Sequence, residues 1–73
     1  MPHVNIKHFP SLSNEQHADL AKSITDAISR IIGCDEDVIS IAVEPINSSE
    51  WNQKVYIPEI INRKETLIKK PNY

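Results

Sequence analysis

The sequence predicts an α/β fold: one β-α-β unit, then a C-terminal helix, with the sheet completed by oligomerisation. Three observations predict it. A period-two strand pattern opens the chain, a long amphipathic helix follows, and a second β-branched segment comes next. Strand, helix, strand in that order makes parallel pairing with a right-handed crossover the expected arrangement.

The first strand is read over residues 2–9. Pro2, Val4, Ile6 and His8 share one face, and His3, Asn5, Lys7 and Phe9 share the other. Val4 and Ile6 mark the core-facing side, as the two-residue side-chain period of a strand requires. Proline is tolerated at the first position of a strand, and Pro10 ends it.

The helix is read over Ser13–Ile32. Ser13 followed by Gln16 is a capping-box signature. Leu20, Ala21, Ile24, Ala27, Ile28 and Ile31 form an apolar stripe at helical spacing. Glu15, Asp19, Lys22, Asp26 and Arg30 cover the other side, and Asp26 and Arg30 are spaced to pair. Gly33 suits the left-handed position just past the helix end.

Cys34–Asp37 reads as a polar connection, its acidic trio solvated. Val38–Glu44 is the second strand, β-branched and apolar on both faces. Pro45–Asn52 is irregular, with a short helical turn at Ser48–Glu50. A second helix is expected from Pro58, which suits a first helical turn. Ile60, Ile61, Lys64, Leu67 and Ile68 would share its face, Lys69 and Lys70 would favour its C-terminus, and Pro71 would stop it.

With 73 residues, the chain reads as a single domain over 1–73, near the lower limit for a self-sufficient core. Its one cysteine, Cys34, allows no intrachain disulfide. His3, His8 and His17 lack the spacing of a structural zinc site, so no metal is expected. Self-association is then the favoured way to complete the core. A two-stranded sheet crossed by one helix is too small to stand alone, and the His3–Asn5–Lys7–Phe9 face receives no helix from the β-α-β unit. A net charge of −2 argues against a nucleic-acid partner. No apolar run approaches the roughly 20 residues that span a bilayer. The opening MPHVNIKHF does not read as a signal peptide, so a reducing cytoplasm is the expected setting.

The chemistry available is sparse. There is no glycine-rich phosphate loop and no serine–histidine–aspartate arrangement to be read out. The second residue, however, is proline. Removal of Met1 converts the Pro2 nitrogen from an amide into a rigid secondary amine that can accept a proton. To act as a base at neutral pH, its pKa must be lowered by a dry pocket or a nearby cation. The dipeptide alone is a weak signal; its position at the start of the first strand of such a unit strengthens it.

These stretches together resemble the tautomerase superfamily, the group of 4-oxalocrotonate tautomerase and its relatives. The resemblance runs through PHVNIKHFP, LSNEQHADLAKSITDAISRIIG and ISIAVEPI, with Trp51 where an aromatic pocket residue often stands. The ending LIKKPNY resembles the short dimeric phenylpyruvate-type subgroup, with a hexamer as the other assembly of the family. The resemblance implies an isomerase without a cofactor. Pro2 would ketonise a 2-hydroxyalkenoate or phenylenolpyruvate-like acid, acting first as base and then as acid.

The two arginines of the oxalocrotonate enzymes correspond here to Leu12 and Ser40. That departure implies a monoacid with an aromatic or apolar tail rather than a dicarboxylate. Trp51 would wall the site and stack on such a tail, or be an ordinary core or interface aromatic. His3, Lys7 and Ser40 are the candidate substrate-binding groups, with interface or surface roles as the ordinary assignment of His3 and Lys7. His8 is expected to be a hydrogen-bonded, partly buried histidine. Two other functions compete: hydration or dehalogenation of an unsaturated acid by a protonated Pro2, and a non-catalytic dimerising module.

Overall fold

The computed structural model describes residues 1–73. Strand β1 spans His3–His8, helix α1 Asn14–Ile32 and strand β2 Ser40–Pro45. β1 and β2 pair in parallel, in a register that sets His3 opposite Ser40 and Lys7 opposite Glu44. This is the anticipated β-α-β unit.

Helix α1 begins where its sequence dictates. The Ser13 hydroxyl accepts the Gln16 amide N–H at 3.1 Å, and the Gln16 side chain accepts the Ser13 N–H at 2.9 Å. Two otherwise orphaned donors are thereby satisfied. At the other end Gly33 adopts φ 81°, a left-handed conformation that a side chain disfavours, and its N–H closes onto Ser29 O. Ser13→Ala is therefore expected to cost about 1 kcal/mol of stability. Urea denaturation at one fixed protein concentration measures this, because an assembling protein's stability depends on concentration.

Several expectations need correction. Asp26 pairs with Lys22 at 3.0 Å, one turn back, rather than with Arg30. β2 starts at Ser40, not Val38, because Glu36–Val38 is drawn into a 3-10 turn. The Asp35 carboxylate caps that turn by accepting the Asp37 N–H at 3.1 Å. β2 is also not apolar on both faces. Ile41 and Val43 are half-buried, whereas Ser40, Ala42 and Glu44 are exposed.

The second helix departs most. It runs over Asn52–Ile61 (α2) and holds Pro58 in its interior rather than at its first turn. Its winding is of the wide π type, in which the Asn62 N–H reaches back five residues to Ile57 O at 3.0 Å. Val55 anchors it in the core, and a Glu50–Lys54 pair at 2.9 Å ties its first turn to the preceding residues. Beyond it lie a 3-10 turn at Lys64–Thr66 and a non-helical tail. Lys69 and Lys70 therefore flank no helix end, and Ile68 is fully exposed.

Only Ile46 and Val55 are buried. Along α1, Leu20, Ile24, Ala27 and Ile28 are half-buried, while Ala21 and Ile31 lie open at the margins of the stripe. The accessible surface is 5785 Å². A compact monomer of this mass exposes about 4,600 Å². The surplus, roughly 1,200 Å², is of the order one partner contributes to a stable interface. With both sheet edges unpaired and Phe9, Ile31, Ile32 and Tyr73 exposed, the chain is an incomplete unit that association would finish. No helix is long and apolar enough to cross a membrane.

Candidate active site

Pro2 sits at the entrance to β1. Its carbonyl accepts the Ser40 N–H at 3.2 Å, so the first rung of the sheet holds the residue in place. Met1 beyond it is 98% exposed and Pro2 only partly so. The pyrrolidine ring is thus anchored while the residue before it projects into solvent.

Two of the candidate binding residues meet beside it. His3 Nδ1 lies 2.6 Å from Ser40 Oγ, across the directly opposed positions of the two strands. Farther along the same face, the Asn5 amide donates weakly to Glu44 at 3.4 Å.

Lys7 is already committed. Its ammonium forms an ion pair with Glu59 of α2, and 24% of its side chain remains exposed. Hydrogen bonding to Glu59 holds the Lys7 pKa above its usual range; burial opposes this, and the charges of Glu59 and Glu44 add to it. A raised lysine pKa stabilises the fold fully below the unfolded value and loses that contribution only as pH rises through the folded one. At neutral pH the pair is therefore intact. It pins α2 over the Asn5–Lys7 part of the face that the β-α-β unit leaves bare. Asn5, Lys7, Trp51, Val55, Glu59 and Ile60 are among the residues lining the groove between them.

Trp51 stands at the far end of β1 from Pro2. Its ring meets Phe9 edge to face, with centroids 5.2 Å apart. Together with Lys7, His8 and Tyr73 these rings line an open cleft of about 680 Å³. His8 Nδ1 donates to Phe9 O at 2.6 Å, and the buried Nε2 has no partner. His8 is thus hydrogen-bonded and partly buried, as its position in β1 suggested.

Within one chain the structure brings His3 and Ser40 together at Pro2 and places Lys7 and Trp51 elsewhere. From Pro2 to His8 the strand extends about 20 Å. Sequence reasoning missed Phe9, Tyr73 and Glu59. Phe9 was legible only as a strand residue facing away from Val4, and nothing local announces its pairing with Trp51. Leu12, at one of the two arginine positions, lines a separate shallow groove with Gln16, Asp19, Leu20 and Ser23.

A parallel β-α-β unit with proline at the entrance to its first strand, and a polar pair fixed beside that proline, defines a class of small α/β proteins. The profile of the tautomerase enzyme family matches residues 2–55. The chain belongs to the tautomerase family and is an isomerase. It is similar to tautomerase PptA of Escherichia coli (strain SMS-3-5 / SECEC), at 46% identity over 74 aligned positions covering all of this chain and 97% of that protein. It is also similar to the proteins of that name from Pectobacterium carotovorum subsp. carotovorum (strain PC1) and Pectobacterium atrosepticum, each 36% identical with the same coverage.

Proposed function

We propose that the protein ketonises a 2-hydroxyalkenoate or phenylenolpyruvate-like monoacid, with Pro2 as the proton carrier. The observation that carries this reading is the anchoring of Pro2 at the start of β1 behind a projecting Met1. Trimming of Met1 frees a secondary amine whose position the sheet already fixes. The neutral amine takes the proton from the enol hydroxyl, and the electron pair shifts to leave an enolate. The resulting prolinium returns the proton to the adjacent carbon, giving the ketone. One base serves both steps, as general acid–base catalysis allows.

The aromatic cleft joins this site through a homodimer. In antiparallel pairing of two β1 edges about a two-fold axis, opposed residues must face the same side of the sheet. With the two strands overlapping along all of His3–His8, the axis then passes at Asn5 or at Ile6. Pro2 then comes to the level of His8 or Pro10 of the partner subunit, at the mouth of the cleft that holds Phe9, Trp51 and Tyr73. Pairing through β2 brings no such cleft to Pro2. Apolar walls there would disfavour the charged amine and lower its pKa, which is what a base at neutral pH needs. A dimer is favoured over a hexamer because α2, held by Lys7 and Glu59, occupies part of the sheet face on which further dimers would stack. The half-buried free thiol of Cys34 fits a cytoplasmic setting.

The test is a phenylenolpyruvate ketonisation assay on protein whose intact mass is known. Activity should follow the fraction of chains that have lost Met1. Equal activity in trimmed and untrimmed protein would reject Pro2 as the base.

A further inference from the structure

We propose that His3 and Ser40 together form the receptor for the substrate's carboxylate. The inference rests on the Pro2 reading and adds the group that holds the acid. Ser40 makes two contacts at once: its N–H holds the Pro2 carbonyl at 3.2 Å, and its hydroxyl meets His3 Nδ1 at 2.6 Å. Pro2, His3 and Ser40 are thereby locked into one unit spanning the first rung of the sheet. A ligand gripped by the pair is held at a set distance from the proline residue.

Hydrogen-bond arithmetic shows what the pair can grip. If the Ser40 hydroxyl donates to Nδ1, the imidazole keeps an outward Nε2–H. If Nδ1–H donates instead, the Ser40 hydroxyl hydrogen is free. Either neutral arrangement offers one outward donor, and an imidazolium offers both. Both residues are exposed in the protomer.

Farther along this face Lys7 is paired with Glu59 and Asn5 is turned toward Glu44, while Arg63 of the adjoining groove carries no ion pair and is the competing anion-binding group. One donor, or two on a single imidazole–hydroxyl pair, matches one carboxylate and not two. Joined to the proposed ketonisation, this count favours a monocarboxylate bearing a 2-oxo or 2-enol oxygen.

His3→Asn and His3→Gln separate binding from structure. Asparagine keeps a polar atom at Nδ1, so the Ser40 contact survives, but nothing replaces the outward Nε2–H. Glutamine reaches outward. His3→Asn and Ser40→Ala are expected to raise KM for phenylenolpyruvate about tenfold, the loss of one charge-assisted hydrogen bond, with kcat nearly unchanged. His3→Gln should remain within about threefold of wild type on the same scale. The methyl ester of the same enol acid keeps a carbonyl acceptor but no charge, so His3→Asn should cost it less than it costs the acid.

A wild-type KM in His3→Asn, or equal losses on acid and ester, overturns the proposal while leaving Pro2 as base. If wild type itself proves inactive, the Pro2 reading fails instead. The receptor is then judged by NMR titration with 3-phenylpropanoate. Shifts of the His3 ring signals that vanish in Ser40→Ala uphold it, and their absence in wild type overturns it.

Discussion

Pro2→Ala is expected to lower kcat/KM for phenylenolpyruvate by about a hundredfold or more, the range that a positioned general base contributes. The loss should fall mainly on kcat if, as proposed, Pro2 carries the proton and the carboxylate is held elsewhere. Alanine supplies a primary amine at the same strand end, so a residue of activity should remain. A chain that keeps Met1 has only an amide nitrogen there, and its rate should drop to the uncatalysed background. The ordering wild type, then Pro2→Ala, then untrimmed protein distinguishes loss of a base from loss of fold. Unchanged circular dichroism and oligomeric state in all three would complete the comparison.

The second large effect tests the shared site. Trp51→Ala removes the ring that meets Phe9 and opens the cleft to water, and is expected to lower kcat/KM about tenfold or more. Pro2→Ala and Trp51→Ala chains, mixed in equal amounts, unfolded and refolded together, should recover activity. Random pairing makes half of the dimers mixed, and each mixed dimer has one site with both Pro2 and Trp51 intact. Recovery should reach roughly a quarter of the wild-type rate. If both residues of a site came from the same chain, the mixture would show only the sum of the two crippled variants. The outcome therefore decides whether the cleft of one subunit serves the amine of the other.

The elements set by local chemistry were legible in the sequence. Ser13 and Gln16 mark the start of α1 and Gly33 its end, because capping and positive φ are short-range demands. The β1 pattern is plain because Val4 and Ile6 alternate with polar neighbours. α2 was misplaced because two local signals misled. Asn52, Gln53 and Lys54 show no apolar period, and Pro58 looks like a first-turn residue. The helix instead draws its stability from Val55 in the core and from Glu59 on Lys7, contacts made with distant parts of the chain. β2 appeared apolar throughout because Val38 and Ile39 precede it, and the turn capped by Asp35 removes Val38 from the strand.

The site divides in the same way. The proposal for Pro2 rests on the chemistry of a single residue. The meeting of His3 with Ser40 follows from strand register, which the sequence leaves open until pairing is known. The Phe9–Trp51–Tyr73 cleft is wholly tertiary. The Lys7–Glu59 ion pair is likewise tertiary, since a lysine's availability depends on its partners and not on its position in a strand.

The central claim is that the freed Pro2 nitrogen is neutral under working conditions. A pH titration of protein carrying ¹⁵N-proline, followed at the N-terminal resonance and confirmed by intact mass to lack Met1, measures this directly. The midpoint should lie below neutrality, under the 7.7–8.0 typical of ordinary α-amino groups, and should match the acidic limb of the kcat/KM profile. A midpoint well above neutrality would leave the amine cationic in the cell. That result would contradict base catalysis and favour the hydration or dehalogenation chemistry that a protonated proline supports.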